Sequence, residues 1–70
     1  MSKNASVHKI LEVVGTSRKS FSDAAQTAVA RAAASVRGLE WFEVTEQRGR
    51  IDGAKIQEFQ VTVKIGFKLE

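Results

Sequence analysis

The spacing of hydrophobic positions changes twice along this chain, and each change marks a new element. From Val7 to Val14 the text VHKILEVV is short, rich in Val, Ile and Leu, and runs into Gly15-Thr16-Ser17. That pattern predicts a strand followed by a turn. Val7, Leu11 and Val13 share one face of this strand, while Ile10 and Val14 fall on the other. A strand apolar on both faces is covered on both sides. In so short a chain the second cover is expected from another subunit. Ser20 then opens a helix, with Ser20 and Asp23 at the N-cap and N3 positions of a capping-box-like start. The body, FSDAAQTAVARAAASVR, is dominated by alanine, the strongest helix former. Phe21, Ala25, Ala28, Ala32, Val36 and Leu39 recur at spacings of three and four and form one stripe, with Arg31 and Arg37 off it. Arg37-Gly38 supplies the stop: a cation in the last turn and a glycine just beyond. An alanine-rich stripe implies close approach of helix to sheet.

Two further runs pattern as strands. Between Trp41 and Ile51, Phe42 and Val44 share one face and Trp41, Glu43, Thr45 and Gln47 the other. Between Lys55 and Leu69, Phe59, Val61, Val63, Ile65, Phe67 and Leu69 alternate with Gln60, Thr62, Lys64, Gly66 and Lys68. Asp52-Gly53 between them is a strong hairpin signal. A two-residue loop there pairs Ile51 with Ala54, Val44 with Val61, Phe42 with Val63 and Thr45 with Gln60, and the apolar faces coincide. A longer loop, or a bulge at Gly49, shifts that register. The predicted architecture is α+β in the order β-α-β-β, one helix lying on the apolar face of a three-stranded, mostly antiparallel sheet. Residues 1–70 form one domain, with residues 1–5 as a frayed tail. The opposite sheet face carries Trp41, Thr45, Gln60, Lys64 and Gly66.

Composition narrows the function. The chain has 70 residues, no cysteine, no proline, one tryptophan and one histidine. A disulfide framework and thiolate metal sites are excluded, and a structural zinc site lacks its ligands. No apolar run approaches the ~20 residues needed to span a bilayer, and the first residues lack the apolar core of a secretory signal. The expectation is a soluble, cytoplasmic protein with no membrane partner. A core this small barely offsets the entropy of ordering the chain, so self-association is the remaining staple. Eleven basic against eight acidic residues give a net charge of +3, which permits an anionic ligand without requiring nucleic acid.

The candidate chemistry is sparse. Trp41, on the face away from the helix, marks either a subunit interface or a stacked ligand. Gln60 on the same face offers donors and an acceptor suited to a planar heteroaromatic edge. His8 has no evident partner, so a triad or histidine base has no support. Gly15-Thr16-Ser17 before the helix reads as a turn and cap, with phosphate binding as the alternative. Arg48-Gly49-Arg50 is a small basic element, a solvated arm or a phosphate contact. Glu43 and Glu46 do not share a strand face at that spacing, so no acid/base pair forms.

Read together, Leu11-Glu12-Val13-Val14-Gly15-Thr16-Ser17, Ser20-Phe21, Trp41-Phe42-Glu43-Val44, Arg48-Gly49, Glu58-Phe59-Gln60-Val61 and Gly66-Phe67-Lys68-Leu69-Glu70 resemble the dodecins. These are small flavin-binding proteins of bacteria and archaea. The resemblance covers nearly the whole chain. It implies a sheet wrapped partly around the helix, twelve copies in a hollow homododecamer, and flavins stacked in pairs between symmetry-related tryptophans. On the matching positions, Trp41 would stack the ring, Gln60 would bond its edge and Arg48 would lie near the flavin phosphate. FMN is the flavin the resemblance favours, with riboflavin or FAD as alternatives. Some members also hold coenzyme A, and Arg31 and Lys68 fall at matching basic positions. The implied function is flavin storage and quenching, not catalysis. The competing reading is a basic sheet module stacking single-stranded nucleic acid on Trp41, with Arg48, Arg50 and Lys64 tracking phosphates.

Overall fold

The computed structural model describes residues 5–69. Of the expected N-terminal tail only Ala5 falls within them, exposed and outside any element; the rest of that expectation lies outside the described residues. The elements are β1 (His8–Ser17), α1 (Phe21–Ala33), β2 (Leu39–Asp52) and β3 (Lys55–Lys68). This is the β-α-β-β order that the periodicity predicts. The sheet is antiparallel throughout in the order β1-β3-β2, so the longest clean alternation occupies the central strand.

β1 runs on through the three residues of the predicted turn. Gly15, Thr16 and Ser17 pair with Val61, Gln60 and Phe59, because the long third strand offers partners beyond Val14. The chain turns instead just before Ser20. The Ser20 hydroxyl accepts from the Asp23 backbone N–H at 2.9 Å, so the predicted cap forms. The helix ends at Ala33, four residues before Arg37. Its last turn tightens through i→i−3 bonds from Ala34 to Arg31 and from Ser35 to Ala32. Gly38, at φ +76°, then turns the chain into β2.

The core is thin. Ala24, Ala28 and Ala32 on the helix meet Val61, Val63 and Ile65 on β3, all buried, with Leu11 and Val13 of β1 packed beside them. The buried helix row is therefore 24-28-32. Phe21 lies at its margin, edge-on to Phe59 with ring centroids 4.9 Å apart. The row keeps Ala28 and Ala32 of the predicted stripe and takes Ala24 in place of Ala25, because the helix closely approaches β1 over Gly15, where a Cβ would meet the Ala24 carbonyl oxygen and lie 2.9 Å from the Ala28 Cβ.

The helix rests on β1 and β3 and leaves the inner face of β2 largely open. Phe42 and Val44 remain 52% and 38% exposed, and with Phe21, Ala25, Val29 and Val61 they line a groove of about 390 Å³. Ile10 and Val14 stand exposed on the outer face, as their position on β1 requires. Beyond the reach of the helix the β2–β3 hairpin projects as an arm, giving the chain extents of 58 × 20 × 14 Å.

The hairpin register differs from the simple two-residue loop at Asp52-Gly53. Asp52 pairs with Lys55, so the loop is Gly53-Ala54. Gly53 takes the only positive φ of that turn, +65°, in the manner of a type II′ turn with glycine first. This spares Asp52 a left-handed conformation and moves every pair along. Val44 meets Val63 and Phe42 meets Ile65. Three irregularities follow, leaving Glu40 and Thr45 as extra residues on β2 and Gln57 as an extra residue on β3.

Candidate functional site

The bulge at Thr45 decides which side chains share the outer sheet face. In an unbroken strand Trp41 and Arg48 point to opposite sides, because successive residues alternate. The extra residue reverses the phase. Trp41, Glu43, Glu46 and Arg48 face outward together, while Gln47 turns to the helix side and lines the groove with Phe42 and Val44. The expectation that Thr45 and Gln47 share the face of Trp41 is corrected accordingly. So is the expectation that Glu43 and Glu46 lie on different faces. The Thr45 hydroxyl donates to the Thr62 carbonyl at 3.3 Å and anchors the bulge.

Trp41 sits opposite Gly66. Its six-membered ring lies directly over that glycine, in space that a Cβ would occupy. The indole thereby reaches across β3 towards β1, where the His8 ring lies 5.0 Å away, tilted by 54°. His8 in turn bonds Glu40 at 2.6 Å through Nε2. Glu40 is the extra residue of the first bulge, so the irregular start of β2 supplies both the indole and the carboxylate that holds its neighbour. Trp41 is still 45% exposed. Periodicity alone gives His8 no partner. The signal that leads to it is Gly66, a glycine inside a strand on the face of a large aromatic, which marks a close approach.

The second group lies at the other end of the face. Gln60 pairs with Arg48, not with Thr45. The Arg48 guanidinium donates to the Thr62 hydroxyl at 3.1 and 3.3 Å and lies 3.6 Å from Glu46. It covers Thr62, which is buried although it faces away from the helix. The Gln60 amide donates to Glu58 at 2.8 Å. From Gly66 to Gln60 is six residues of β3, roughly 20 Å at strand rise. The fold thus brings Arg48 and Gln60 together and holds Trp41 apart from both.

Arg31 and Lys68 are not brought together either. Arg31 lines a shallow groove between α1 and β1 with Leu11, Val13 and Val36. Lys68 ends β3 beside His8, on the outer sheet face. The Gly15-Thr16-Ser17 segment resolves as strand and cap. The Ser17 hydroxyl donates to Asp23 at 2.7 Å and accepts from the Lys19 backbone N–H at 2.9 Å, so it is fully engaged within the chain. Among the described residues no group of three or more His, Asp or Glu gathers as a cation site, and no helix is long and apolar enough to cross a membrane.

A three-stranded antiparallel sheet with one helix on one face, and an aromatic side chain and a hydrogen-bonded polar pair on the other, defines a class of small β-α-β-β proteins. The Dodecin family profile matches residues 7–70. A dodecin from Thermus thermophilus is 48% identical over 64 residues, covering 91% of this chain and 93% of the relative. The structure of a dodecin from Streptomyces coelicolor superposes with a TM-score of 0.90 at 42% identity, covering 99% of this chain and 97% of that one. A calcium dodecin from Mycobacterium tuberculosis is 34% identical over 64 residues, covering 91% of this chain and 90% of the relative. The chain belongs to the dodecin family, whose members are oligomeric and bind small ligands, typically flavins.

Proposed function

We propose that this protein sequesters a flavin, FMN in the first instance, in a homododecamer in which the ring stacks on Trp41 between subunits. The observation that carries the reading is the seat of Trp41 over Gly66. A half-exposed indole held flat to the sheet by a glycine beneath it and a histidine beside it is a preformed platform for a planar aromatic. Stacking on such a platform contributes about 0.5–1.5 kcal/mol beyond the area buried. Burial of the ring in a slot shared by two chains supplies the larger part. The separation of Trp41 from Gln60 along β3 supports a shared site, in which Gln60 of a neighbouring chain reads the ring edge. Ile10, Val14 and Phe42, exposed in one chain, are the apolar surface that such an assembly covers.

Beside Trp41 the His8 imidazole is committed through Nε2 to Glu40, an arrangement that seats the indole. Trp41 would hold the flavin ring by stacking and, as an electron donor to the excited ring, would quench its fluorescence, which suits storage and photoprotection. Riboflavin and FAD fit the same platform. The difference between flavins would rest on Arg48, held by Thr62 and free to turn its remaining N–H groups to a phosphate. Coenzyme A on Arg31 and Lys68 would need residues from separate copies.

The test is a titration of FMN with ligand-free protein, followed by flavin fluorescence. Quenching that saturates near one flavin per chain is the expected result. Absence of quenching at micromolar protein overturns the reading and turns attention to single-stranded nucleic acid. A second prediction concerns Arg48. Thr62→Val keeps the buried shape and removes the hydroxyl that orients the guanidinium. FMN affinity should then fall by about 3- to 10-fold, the scale of one or two hydrogen bonds, while riboflavin affinity stays within about twofold. Equal losses for the two flavins would show that Arg48 is not reading the phosphate.

A further inference from the structure

The Gln60 side chain does not stand alone. Glu58 lies two residues earlier on the same face of β3, and its Oε1 accepts from Gln60 Nε2 at 2.8 Å. Both side chains are half-buried. An ionised carboxylate only accepts hydrogen bonds, so it fixes which end of the amide faces it. The amide nitrogen has to turn towards Glu58, and the carbonyl oxygen has to turn away. A primary amide free in solvent flips between the two orientations. This one is locked by a charge-assisted bond.

We infer that Glu58 is a positioning residue that sets the ligand specificity of Gln60. The inference rests on the flavin reading above and deepens it. With one N–H committed to Glu58, Gln60 presents a carbonyl oxygen and its second N–H side by side. That acceptor-donor pair is complementary to an imide edge, an N–H flanked by a carbonyl, as found on the pyrimidine-like ring of a flavin. It is mismatched to an edge carrying acceptors alone. Flipping the amide would leave its oxygen against the Glu58 carboxylate, two acceptors with no proton between them, which costs more than the bond itself.

The opposing strand leaves the pair intact. Arg50 is the cross-strand partner of Glu58, and Arg48 that of Gln60. Arg48 is engaged by Thr62 and lies near Glu46, and the Glu58 oxygen faces the amide. The bulge at Gln57 places Glu58 and Gln60 together on the outer face with Arg48, so the pair lies on the ligand side of the sheet.

The test compares FMN with its N3-methylated analogue, in which the imide N–H is replaced by a methyl group. Both are titrated by fluorescence quenching into the assembled wild-type protein, Glu58→Ala and Glu58→Gln. Wild type should prefer FMN by about tenfold or more, because the analogue leaves the amide oxygen unpaired. Glu58→Ala frees the amide to flip. Its FMN affinity should fall about 3- to 10-fold and its preference over the analogue should shrink to about twofold. Glu58→Gln keeps an acceptor oxygen at the same reach and should restore most of both. A merely structural role for Glu58 would lower the affinities for FMN and the analogue equally and leave the preference unchanged, and that result overturns the inference. So does Glu58→Ala binding both ligands as wild type does. Failure of the wild-type protein itself to quench FMN overturns the flavin reading, and the inference with it.

Discussion

Trp41→Ala is expected to abolish quenching of FMN, and Gly66→Ala to do nearly the same with the indole still present. The second substitution is the more informative. Trp41 occupies the space above Gly66 that a Cβ would fill, so a single methyl group there evicts the ring from its seat. The indole is half exposed and hinged only at its own Cα, and it can swing outward without disturbing the core. Gly66 pairs with Ile10 and Trp41 through the backbone, and an alanine keeps those ladder bonds. The expected outcome for Gly66→Ala is unchanged far-UV circular dichroism and unchanged assembly size, with FMN affinity at least about tenfold weaker, or ~1.4 kcal/mol. Fluorescence titration together with size-exclusion chromatography reads both. Full FMN affinity in Gly66→Ala would show that the platform does not depend on how the indole is seated.

Gly15→Ala should unfold the protein at much lower denaturant. Here the clash is with backbone, not with the mobile end of a side chain. A Cβ at Gly15 would run into the Ala24 carbonyl oxygen and lie 2.9 Å from the Ala28 Cβ. The helix can only relieve this by lifting off β1, which separates Ala24, Ala28 and Ala32 from Val61, Val63 and Ile65. Overpacking of this kind costs about 1–3 kcal/mol, a large fraction of the roughly 5 kcal/mol expected at the low end for small domains. The midpoint of urea unfolding, measured at fixed chain concentration because assembly contributes to stability, should drop accordingly. A midpoint equal to that of wild type would mean that the helix is not seated on β1 as described.

The reasons why some of this was legible in the sequence are local. The cap at Ser20 and Asp23 and the alternation from Phe59 to Phe67 follow from spacing within a few residues and form where the sequence places them; the hairpin after Ile51 forms as well, with its loop one residue later. The pairing of Arg48 with Gln60 does not follow from spacing. It needs the exact loop, Gly53-Ala54 in place of Asp52-Gly53, and the three extra residues Glu40, Thr45 and Gln57. A bulge leaves almost no mark in a run of alternating residues, since any one of several polar positions can take it. Only Gly66 hinted at the seat of Trp41. The partnership of His8 with Glu40 and Trp41 spans two strands that do not pair with each other, and side-chain reach across a glycine is invisible to periodicity. The helix end was misplaced because Ala34, Ser35 and Val36 are compatible with helix, and the tightened last turn is set by the need to reach β2.

Thr45 is a position that β2 can lose without changing which side chains face outward. The strand before it and the strand after it present opposite phases of the same alternation, so the platform end and the polar end of the sheet are addressed separately. Loss of the Thr45 codon would erase the bulge and keep every pair on either side of it, Val44 with Val63, Glu46 with Thr62 and Arg48 with Gln60. The extra residue can therefore be lost in one genetic step without exchanging the side chains that the two ends of the sheet turn outward.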